Sequence, residues 1–354
     1  MIAQAAARRP YLSAFVFSVI AVGTLLSAGD LHAQQSVADL YKGKQMKFII
    51  RSEPGGGYDL VSRLVASHIT RHIPGTPSMI PVNMPGGGGL LAANFMYEIA
   101  PRDGTHLTLL GEALPMDYTL GFTPGLKADL SKFNWIGTVS TSNTLTYIWH
   151  TSPTKTIEDA KKRETLIGAT GAGSTPSWLP IIYNNVFGTK FKVINGYKSA
   201  GDVKLAMERG EVEGYGANPW VSLNATSPEL VRDKKFNIIV QVGDQKERDL
   251  PDVPLFSELK ADTAEGQAVV AFVSQSLSIG RAIATTQDAP ADRLVALRKA
   301  FNETMADPLF LADAKKVDVD VNPVDDVALT KLMDSLFATP ADIKAKVKTA
   351  LPSR

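Results

Sequence analysis

Short apolar runs alternate with amphipathic stretches along the chain after about residue 45. The short apolar runs predict strands, whereas apolar residues spaced three and four apart predict helices. This alternation indicates an α/β fold with largely parallel sheets. The predicted strands cover 46–51, 79–82, 107–110, 135–139, 146–149, 166–169, 212–215 and 236–242. The predicted helices cover 60–73, 90–100, 177–187, 200–209, 291–306, 324–337 and 340–351.

The chain has 354 residues, which is long enough for two domains of about 150 residues each. Single hydrophobic cores stop growing at about 250–300 residues, so we expect two lobes. The strands at 135–139 and 236–242 are the expected crossings between the lobes, which makes the first lobe discontinuous. The expected first lobe covers 34–136 and 236–354, and its second part includes the C-terminal helices. The expected second lobe covers 137–235.

The N-terminal segment has the pattern of an export signal. Arg8 and Arg9 precede an uncharged apolar run over 11–26, and Ala33 ends a short segment that follows this run. This arrangement is typical of a secretory signal peptide, and we expect residues 1–33 to be removed by cleavage near Ala33. The paired arginines also fit a loose twin-arginine signal, so both general export routes stay open. The alternative is an uncleaved anchor, since the apolar run is nearly long enough to span a bilayer.

Composition narrows the function classes. The 37 basic and 36 acidic residues give a formal net charge of +1, whereas nonspecific nucleic-acid binding needs a basic surface. The chain has no cysteine, which excludes disulfides, thiolate metal sites and a cysteine nucleophile. His68 and His72 lie four residues apart on a predicted helix, but two histidines without a third ligand are more typical of a solvated face. We therefore expect no metal, no cofactor and no nucleic-acid partner.

The strongest chemical signal is a glycine-rich turn that follows three of the predicted strands and precedes a predicted helix. Glycine lets the backbone turn sharply and approach a ligand closely. The start of a helix adds unpaired N–H groups and the positive end of the helix dipole, so that an anion can bind without a charged side chain. Turns at the carboxyl ends of parallel strands meet at one edge of a sheet, where ligands bind. The three turns cover 53–59, 83–89 and 170–175.

Other interpretations of these turns are weaker. Residues 87–92 satisfy the glycine pattern of a dinucleotide-binding loop, but no acidic residue follows where it would hold a ribose. Ser174 as a hydrolytic nucleophile lacks a GxSxG elbow and a histidine with a readable relation to it. All three turns could also be tight connections only. Asp59 could contact a ligand, but a carboxylate repels a bound carboxylate, which favours a helix cap that pairs with Arg63.

Taken in order, several segments resemble the receptors of tripartite tricarboxylate transporters, the Bug-type periplasmic solute-binding proteins. The resemblance covers nearly all of the chain that follows the signal peptide. The first two turns and the LPDVP segment are specific in combination, whereas each alone would be weak. The segments that carry the resemblance are 54–59 with Arg63, 83–89, 103–105, 171–174, 197–198, 210–212, 250–254 and 290–308.

The resemblance implies a two-lobed type II periplasmic-binding-protein fold that closes around its ligand. It implies a carboxylate held mainly by backbone amides and ordered waters of the first two turns, with specificity set by the second lobe. Some residues depart from the family pattern. Tyr58 stands where a small Thr or Ser is usual, Ser177 stands where a His is common, and 218–220 fill the region that faces the distal end of the ligand. These departures bear on the identity of the ligand rather than on its class.

We therefore expect a periplasmic, monomeric receptor, not an enzyme, that delivers a small carboxylate to membrane transporter subunits. The alternatives are an exported hydrolase of a carboxylate ester and a ligand sensor that feeds a signalling partner. Few cationic side chains are expected near the turns, and Lys198 is the candidate for binding a second carboxylate. Because so few cations neutralise three negative charges poorly, a mono- or dicarboxylate is expected ahead of citrate. Tyr58 and Trp220 either belong to the core or line a pocket, where they would suit an aromatic or extended apolar ligand body. The candidate ligand-binding residues are Pro54, Gly55, Gly56, Gly57, Tyr58, Asp59, Gly86, Gly87, Gly88, Ser174, Thr175, Lys198, Asn218 and Trp220.

Overall fold

The computed structural model describes residues 1, 36–55, 57–171, 174–317 and 319–351. The expected signal peptide and its cleavage site, apart from Met1, lie outside the described residues, and so does Gly56 of the first turn. Among the helices of the described ranges, none is long and apolar enough to cross a membrane.

Two five-stranded sheets account for the strands of the described residues. The first sheet contains β1 (Gln45–Ile50), β2 (Ser78–Asn83), β3 (His106–Leu110), β4 (Asn134–Thr138) and β10 (Ala282–Thr285). The second sheet contains β5 (Thr144–Trp149), β6 (Thr165–Ala169), β7 (Phe191–Asn195), β8 (Gly214–Pro219) and β9 (Phe236–Val242).

Both sheets are mixed, with the order β2-β1-β3-β10-β4 in the first and β7-β6-β8-β5-β9 in the second. In each sheet two strand pairs are parallel, and the pairs made by β10 and by β5 are antiparallel. The expectation of largely parallel sheets is therefore wrong. The spacing of apolar residues indicates that a strand is buried but not in which direction it runs, and the four residues of β10 are too few to show a pattern.

Helices cover both faces of the sheets. In chain order they are α1 (Val37–Tyr41), α2 (Gly57–Ile69), α3 (Leu90–Glu98), α4 (Ala113–Leu120), α5 (Ile157–Lys162), α6 (Thr175–Phe187), α7 (Ala200–Glu208), α8 (Trp220–Thr226), α9 (Pro228–Arg232), α10 (Ala264–Leu277), α11 (Ala291–Ala306), α12 (Pro308–Lys316), α13 (Asp326–Phe337) and α14 (Ala341–Ala350). Short 3₁₀ turns lie at Gly87–Gly89, Leu130–Lys132 and Phe256–Glu258.

The first sheet is buried on both faces, as β1 illustrates. Phe48 and Ile50 belong to the cluster that also contains Val65 of α2 and Phe301 of α11. Ile49 belongs to the opposite cluster, which includes residues of α3, α4 and α13. Successive side chains of a strand point to opposite faces, so one strand feeds both clusters. This two-sided burial explains why every residue of β3 is buried, including the polar His106 and Thr108.

Helices α10 and α14 connect the two lobes through one shared hydrophobic cluster. Val270 of α10 and Val347 of α14 are fully buried in the cluster that contains Leu114 of α4 and Ile182 of α6. Because α4 packs on the first sheet side and α6 follows β6 of the second sheet, the C-terminal third of the chain fixes the two lobes side by side. The edge of each sheet that carries the strand-to-helix turns is left open to form a cleft.

The chain crosses between the sheets at 139–143 and again after Val242. Thr138 still pairs with Ala282 in the first sheet, and β9 pairs with β5 in the second. Residues 137–138 therefore belong to the first sheet and 236–242 to the second, whereas the expected boundaries at 136 and 235 assigned them the other way round. Asn322 secures the first crossing, since it accepts the backbone N–H of Thr141 and donates to its carbonyl and hydroxyl oxygens.

Candidate functional site

The open edge of the first sheet brings together residues that are far apart in the sequence. Arg51 directly follows β1, and Gly111 and Glu112 follow the neighbouring β3. Because β10 runs antiparallel to β3 and pairs Ala282 with Leu110, the residue that precedes β10, Arg281, lies at this same edge. Parallel strand ends and the start of one antiparallel strand thus place two arginines beside the first glycine-rich turn.

A cavity of about 260 Å³, called here the cleft cavity, lies where this edge faces the second lobe. From the first lobe it is lined by Gly57 and Tyr58 of the first turn and by Glu112 and Arg281. Four other cavities are larger, at about 530, 470, 440 and 360 Å³, and none of them has a residue of a glycine-rich turn in its lining; the two of about 530 and 470 Å³ share Trp220. The cleft cavity is therefore the one that combines turn residues with charged groups.

Hydroxyl groups line the other side of the cleft cavity. Ser140 and Ser142 come from the first crossing, Thr144 begins β5, and Ser222 lies in the first turns of α8. Thr144 pairs with Pro219 across β5 and β8, so the start of one strand and the end of the other meet at this edge. Each hydroxyl can both donate and accept a hydrogen bond, which suits a polar ligand that touches both lobes.

Tyr58 separates Arg51 from the cleft cavity. The guanidinium carbon of Arg51 lies 4.4 Å from the centre of the Tyr58 ring, a cation–π contact. The Tyr58 hydroxyl donates to Oε2 of Glu112 over 2.9 Å. Burial, together with the adjacent Glu112 carboxylate, raises the pKa of Tyr58 well above its usual range, so the hydroxyl stays protonated and keeps donating.

Arg51 has no anionic partner in the described part of the chain. Its Nη1 atom is buried and makes no hydrogen bond to the described residues. The side chain passes close to Gly89 and Gly111, where an added Cβ would meet Arg51 atoms. A half-buried guanidinium with one buried nitrogen and no carboxylate partner leaves a positive potential at this edge, which a bound anion would offset.

Arg281 faces the cleft cavity directly and is held by the first crossing. Its Nη1 donates to Oγ of Ser140 over 3.0 Å, and its backbone N–H donates to the Ser140 carbonyl over 3.0 Å. No carboxylate among the described residues lies within 4.0 Å of its guanidinium. The expectation of few cationic side chains near the turns is therefore wrong, because Arg51 and Arg281 reach the first turn from strand ends whose neighbours the sequence does not show.

Asp59 is buried beneath the first turn rather than exposed in the cleft cavity. Its carboxylate accepts the Gly55 backbone N–H over 2.9 Å, Arg63 Nε over 2.9 Å and Asn83 Nδ2 over 2.8 Å. Burial alone would raise the pKa of Asp59, but the hydrogen bonds from Arg63, Gly55 and Asn83 outweigh it and lower the pKa to about 2. Arg63 also donates to Asn83, so the network ties the first turn to the end of β2.

The second turn owes its shape to consecutive glycines. Gly86, Gly87, Gly88 and Gly89 have φ values of 139°, 55°, 65° and 106°, which side-chain-bearing residues rarely adopt. They form a 3₁₀ turn that leads into α3, and Gly89 contacts Arg51. None of these glycines lines the cleft cavity, so the second turn lies beside it, on the far side of Arg51.

The candidates of the second lobe do not gather at the cleft cavity. Ser174 donates its hydroxyl to the Gly171 carbonyl over 2.6 Å at the start of α6, next to Thr175, and neither residue lines the cavity. Lys198 is exposed on the loop after β7. Asn218 is buried, donates to the Tyr147 hydroxyl over 3.3 Å and lines a neighbouring cavity of about 360 Å³, which shares Ser222 with the cleft cavity.

Trp220 and Tyr58 lie in different environments. Tyr58 lines the cleft cavity, whereas Trp220 is 7% exposed, packs with Leu145 and Leu223, and borders the two cavities of about 530 and 470 Å³ instead. Pro54 and Gly55, in the first turn, are exposed.

Sequence reasoning missed Arg51, Glu112 and Arg281, together with the serines of the crossing. The only available signal was that Arg51 ends a predicted strand and Glu112 lies two residues after another, close to the positions that singled out the turns.

A scan of the chain against protein-family models gives no match, and a search of curated proteins finds none either. Solved structures do match, and three of them align with 85–88% of this chain. A TctC solute-binding protein from Polaromonas has a TM-score of 0.67 and 21% identity over 87% of this chain and 99% of that chain. The periplasmic binding protein BugD has a TM-score of 0.60 and 17% identity over 88% and 98%. MatC from Rhodopseudomonas palustris with bound malate has a TM-score of 0.60 and 16% identity over 85% and 99%.

These similarities confirm the predicted fold. The chain has the two-lobed α/β type II fold of periplasmic binding proteins, and its first lobe is discontinuous because β10 returns to the first sheet after the second sheet is complete. The similar structures include solute-binding proteins of the type that the sequence resembled. A shared fold does not by itself give a function, which has to be argued from the site.

Proposed function

We propose that this protein is an extracytoplasmic receptor that binds a small organic carboxylate in the cleft cavity and delivers it to a tripartite tricarboxylate-type membrane transporter. The observation that carries the proposal is Arg281, which faces the cavity without a carboxylate partner among the described residues and stands opposite the hydroxyls of the second lobe. A guanidinium recognises a carboxylate through paired N–H groups. The ligand would therefore complete an ion pair that the chain leaves open.

Both lobes contribute to the proposed binding mode. One ligand oxygen pairs with Arg281 and the Ser140 hydroxyl, and the start of α2 at Gly57 adds its unpaired N–H groups and the positive end of its dipole. Ser222 and Thr144 hold the other end from the second lobe. A ligand that touches both sides stabilises the closed arrangement over an open one, which is the basis of capture by a two-lobed receptor.

The size and charge of the cleft cavity favour a short ligand. A water molecule occupies about 30 Å³ in the liquid, so a cavity of about 260 Å³ holds roughly nine waters or a ligand with a similar number of heavy atoms. Among the described residues that line the cavity or contact Tyr58, Arg51 and Arg281 carry two positive charges and Glu112 one negative charge, which leaves one excess positive charge at the site. Citrate would bring about three negative charges that this site neutralises poorly. These features favour a mono- or dicarboxylate with a short body. An aromatic ligand body would contact Tyr58 but not Trp220, because Trp220 borders other cavities.

Binding is favoured over catalysis by the surroundings of Ser174. Its hydroxyl donates to a backbone carbonyl, and no histidine side chain in the described residues hydrogen-bonds to it. The similar solved structures are those of binding proteins, and MatC was solved with malate. Export through the N-terminal signal and residence in the periplasm complete the proposal, in keeping with the periplasmic binding protein BugD.

The test is to identify what the protein binds. Protein purified from the periplasm is denatured, and the released small molecules are identified by mass spectrometry; refolded protein is then titrated with them by calorimetry. We expect stoichiometric binding of a carboxylate without turnover, and a loss of about 10–150-fold in affinity for Arg281→Gln, from roughly 1.5–3 kcal/mol per charge-assisted hydrogen bond. Lys192→Gln, an exposed cation of β7 outside the cavity, is the control. Unchanged affinity in Arg281→Gln, or product formation from an ester, would overturn the proposal.

Transport is tested separately. Deletion of the gene should abolish uptake of the identified carboxylate, and the receptor in its ligand-bound form should associate with the membrane subunits of the transporter. If uptake persists while a chemotactic or transcriptional response to the carboxylate disappears, the protein is a sensor instead.

A further inference from the structure

We propose that Glu112 determines specificity by selecting carboxylates that also carry a hydrogen-bond donor, with an ammonium group preferred to a hydroxyl group. This inference rests on the proposed function and narrows its ligand class to amino and hydroxy acids. It starts from an unusual pairing: a single small cavity presents both a guanidinium, that of Arg281, and a carboxylate, that of Glu112.

Glu112 has an unused acceptor at the cavity. Its Oε2 accepts the Tyr58 hydroxyl, whereas its Oε1 accepts no hydrogen bond from the described residues. No lysine, arginine or histidine in the described chain lies within 4.0 Å of the carboxylate. Oε1 is not one of the buried atoms that lack a hydrogen bond, so it is open to solvent, and a ligand that covers it has to bring a donor in place of that solvent.

A purely structural role for Glu112 does not account for its side chain. Glu112 occupies the N-cap position of α4, yet its side chain makes no capping hydrogen bond. Its hydrogen bond with Tyr58 orients both side chains, and a neutral acceptor such as glutamine could make the same bond, although a weaker one. The carboxylate makes no ion pair within 4.0 Å in the described part of the chain, so its charge remains available to a ligand.

The charge has opposite effects on two kinds of ligand. Glu112 repels a plain carboxylate that binds at Arg281, which weakens binding of an ordinary mono- or dicarboxylate. A ligand with an ammonium group can donate a charge-assisted hydrogen bond to the Glu112 carboxylate, which offsets this repulsion. A ligand hydroxyl can donate a weaker hydrogen bond to the same carboxylate. The presence of Arg281 and Glu112 in the lining of one cavity thus suits a ligand that carries both a carboxylate and a hydrogen-bond donor.

Three acids with the same four-carbon skeleton test this inference. Succinate, malate and aspartate carry hydrogen, hydroxyl and ammonium at the same carbon. Aspartate also carries one negative charge fewer, so the effect of Glu112→Gln on the ratio of affinities, rather than the affinities alone, isolates the donor. In calorimetry at pH 7 with refolded, ligand-free protein, we expect aspartate to bind at least 10-fold more tightly than succinate, with malate between them. Glu112→Gln should lower the affinity for aspartate by about 10–100-fold and leave or raise that for succinate, which brings the ratio close to one. Glu265→Gln, which changes an exposed first-turn glutamate of α10 outside the cleft cavity, is the matched control and should leave the ratio unchanged.

The ratio of affinities distinguishes this inference from the proposed function. If the wild-type protein binds succinate as tightly as aspartate, or if Glu112→Gln keeps the wild-type ratio, Glu112 does not select for a donor, although the protein remains a carboxylate receptor. If none of the three acids binds, the ligand released from purified protein takes their place. A released carboxylate that carries no donor group overturns the inference, whereas the absence of any bound carboxylate overturns the proposed function.

Discussion

Asp59 connects the two glycine-rich turns of the first lobe, and we expect its charge to stabilise the protein measurably. Its carboxylate accepts hydrogen bonds from Gly55 in the first turn and from Asn83 at the end of β2, and it pairs with Arg63. Asp59 is only 4% exposed, so solvent screens these interactions weakly. The change Asp59→Asn keeps the shape of the side chain and removes its charge.

The magnitude follows from the pKa of Asp59. Burial opposes its ionisation, but the hydrogen bonds lower its pKa from 3.8 to about 2, and one pKa unit corresponds to 1.36 kcal/mol. The charged form therefore stabilises the folded state by about 2 kcal/mol at neutral pH. Because the folded pKa lies below the unfolded one, this contribution is fully present above about pH 5 and is lost as the pH falls through 4 towards 2. Near pH 3 about half of it remains.

Urea unfolding of the wild-type protein and of Asp59→Asn at pH 7 and pH 3 checks this sign and size. We expect a difference in the free energy of unfolding of about 2 kcal/mol at pH 7 and about 1 kcal/mol at pH 3. Asp342→Asn is the matched control, because Asp342 also lies in the first turn of a helix and pairs with Lys346 four residues on, but its side chain is 66% exposed. The control should stay within about 0.5 kcal/mol of the wild type. A difference for Asp59→Asn that is absent at pH 7, or equally large at both pH values, would refute the charge argument.

Three further outcomes are expected. Gly111→Ala places a methyl group against Arg51 and Tyr58 and should weaken carboxylate binding in calorimetry by at least about 10-fold; wild-type affinity would show that Arg51 and Tyr58 can move aside. Gly87→Val introduces a β-branched residue at a φ of 55° and within 2.9 Å of the Leu90 Cβ, so it should lower the midpoint of thermal unfolding. Gly171→Ala, with no heavy atom within 4 Å of the added Cβ, should not; equal midpoints for both variants would contradict this. N-terminal sequencing of protein from the periplasm should give a start near Gln34, whereas a retained Met1 with membrane association would contradict the signal peptide.

Elements with a complete apolar pattern could be located from the sequence. The strand at 236–242 and the helix at 291–306 have in the structure the bounds that the pattern gives them. The glycine-rich turns could also be located, since each lies between a clear strand and a clear helix. Helix α10 was missed although its buried residues, among them Val269, Val273 and Leu277, fall on one face, because the exposed Ala264 and Ala271 on the opposite face weaken the contrast between the two faces.

The charged residues of the site could not be predicted, because their neighbourhood depends on strand direction. Glycine-rich turns reveal themselves by local composition, but Arg281 reaches the first turn only through the antiparallel pairing of β10 with β3. Trp220 shows the opposite error: it follows β8 directly, as a cleft residue would, yet its ring packs into the second lobe. Position after a strand thus indicates the correct edge of a sheet but not the direction in which a side chain points.

The pairing of Arg281 with the first crossing links ligand binding to the arrangement of the lobes. Its backbone N–H and its guanidinium both donate to Ser140, and the carbonyl of Arg281 accepts the N–H of Val139 over 3.1 Å. The neighbouring Gly280 has a φ of 63°, and an added Cβ there would collide with the Ser140 carbonyl, so the two segments are closely packed. In the proposed mechanism the ligand carboxylate binds Arg281, and Arg281 is hydrogen-bonded to the first crossing, the segment that connects the lobes. A change in the position of the crossing moves the guanidinium, and an anion that fixes the guanidinium restrains the crossing, so that one residue serves both recognition and closure.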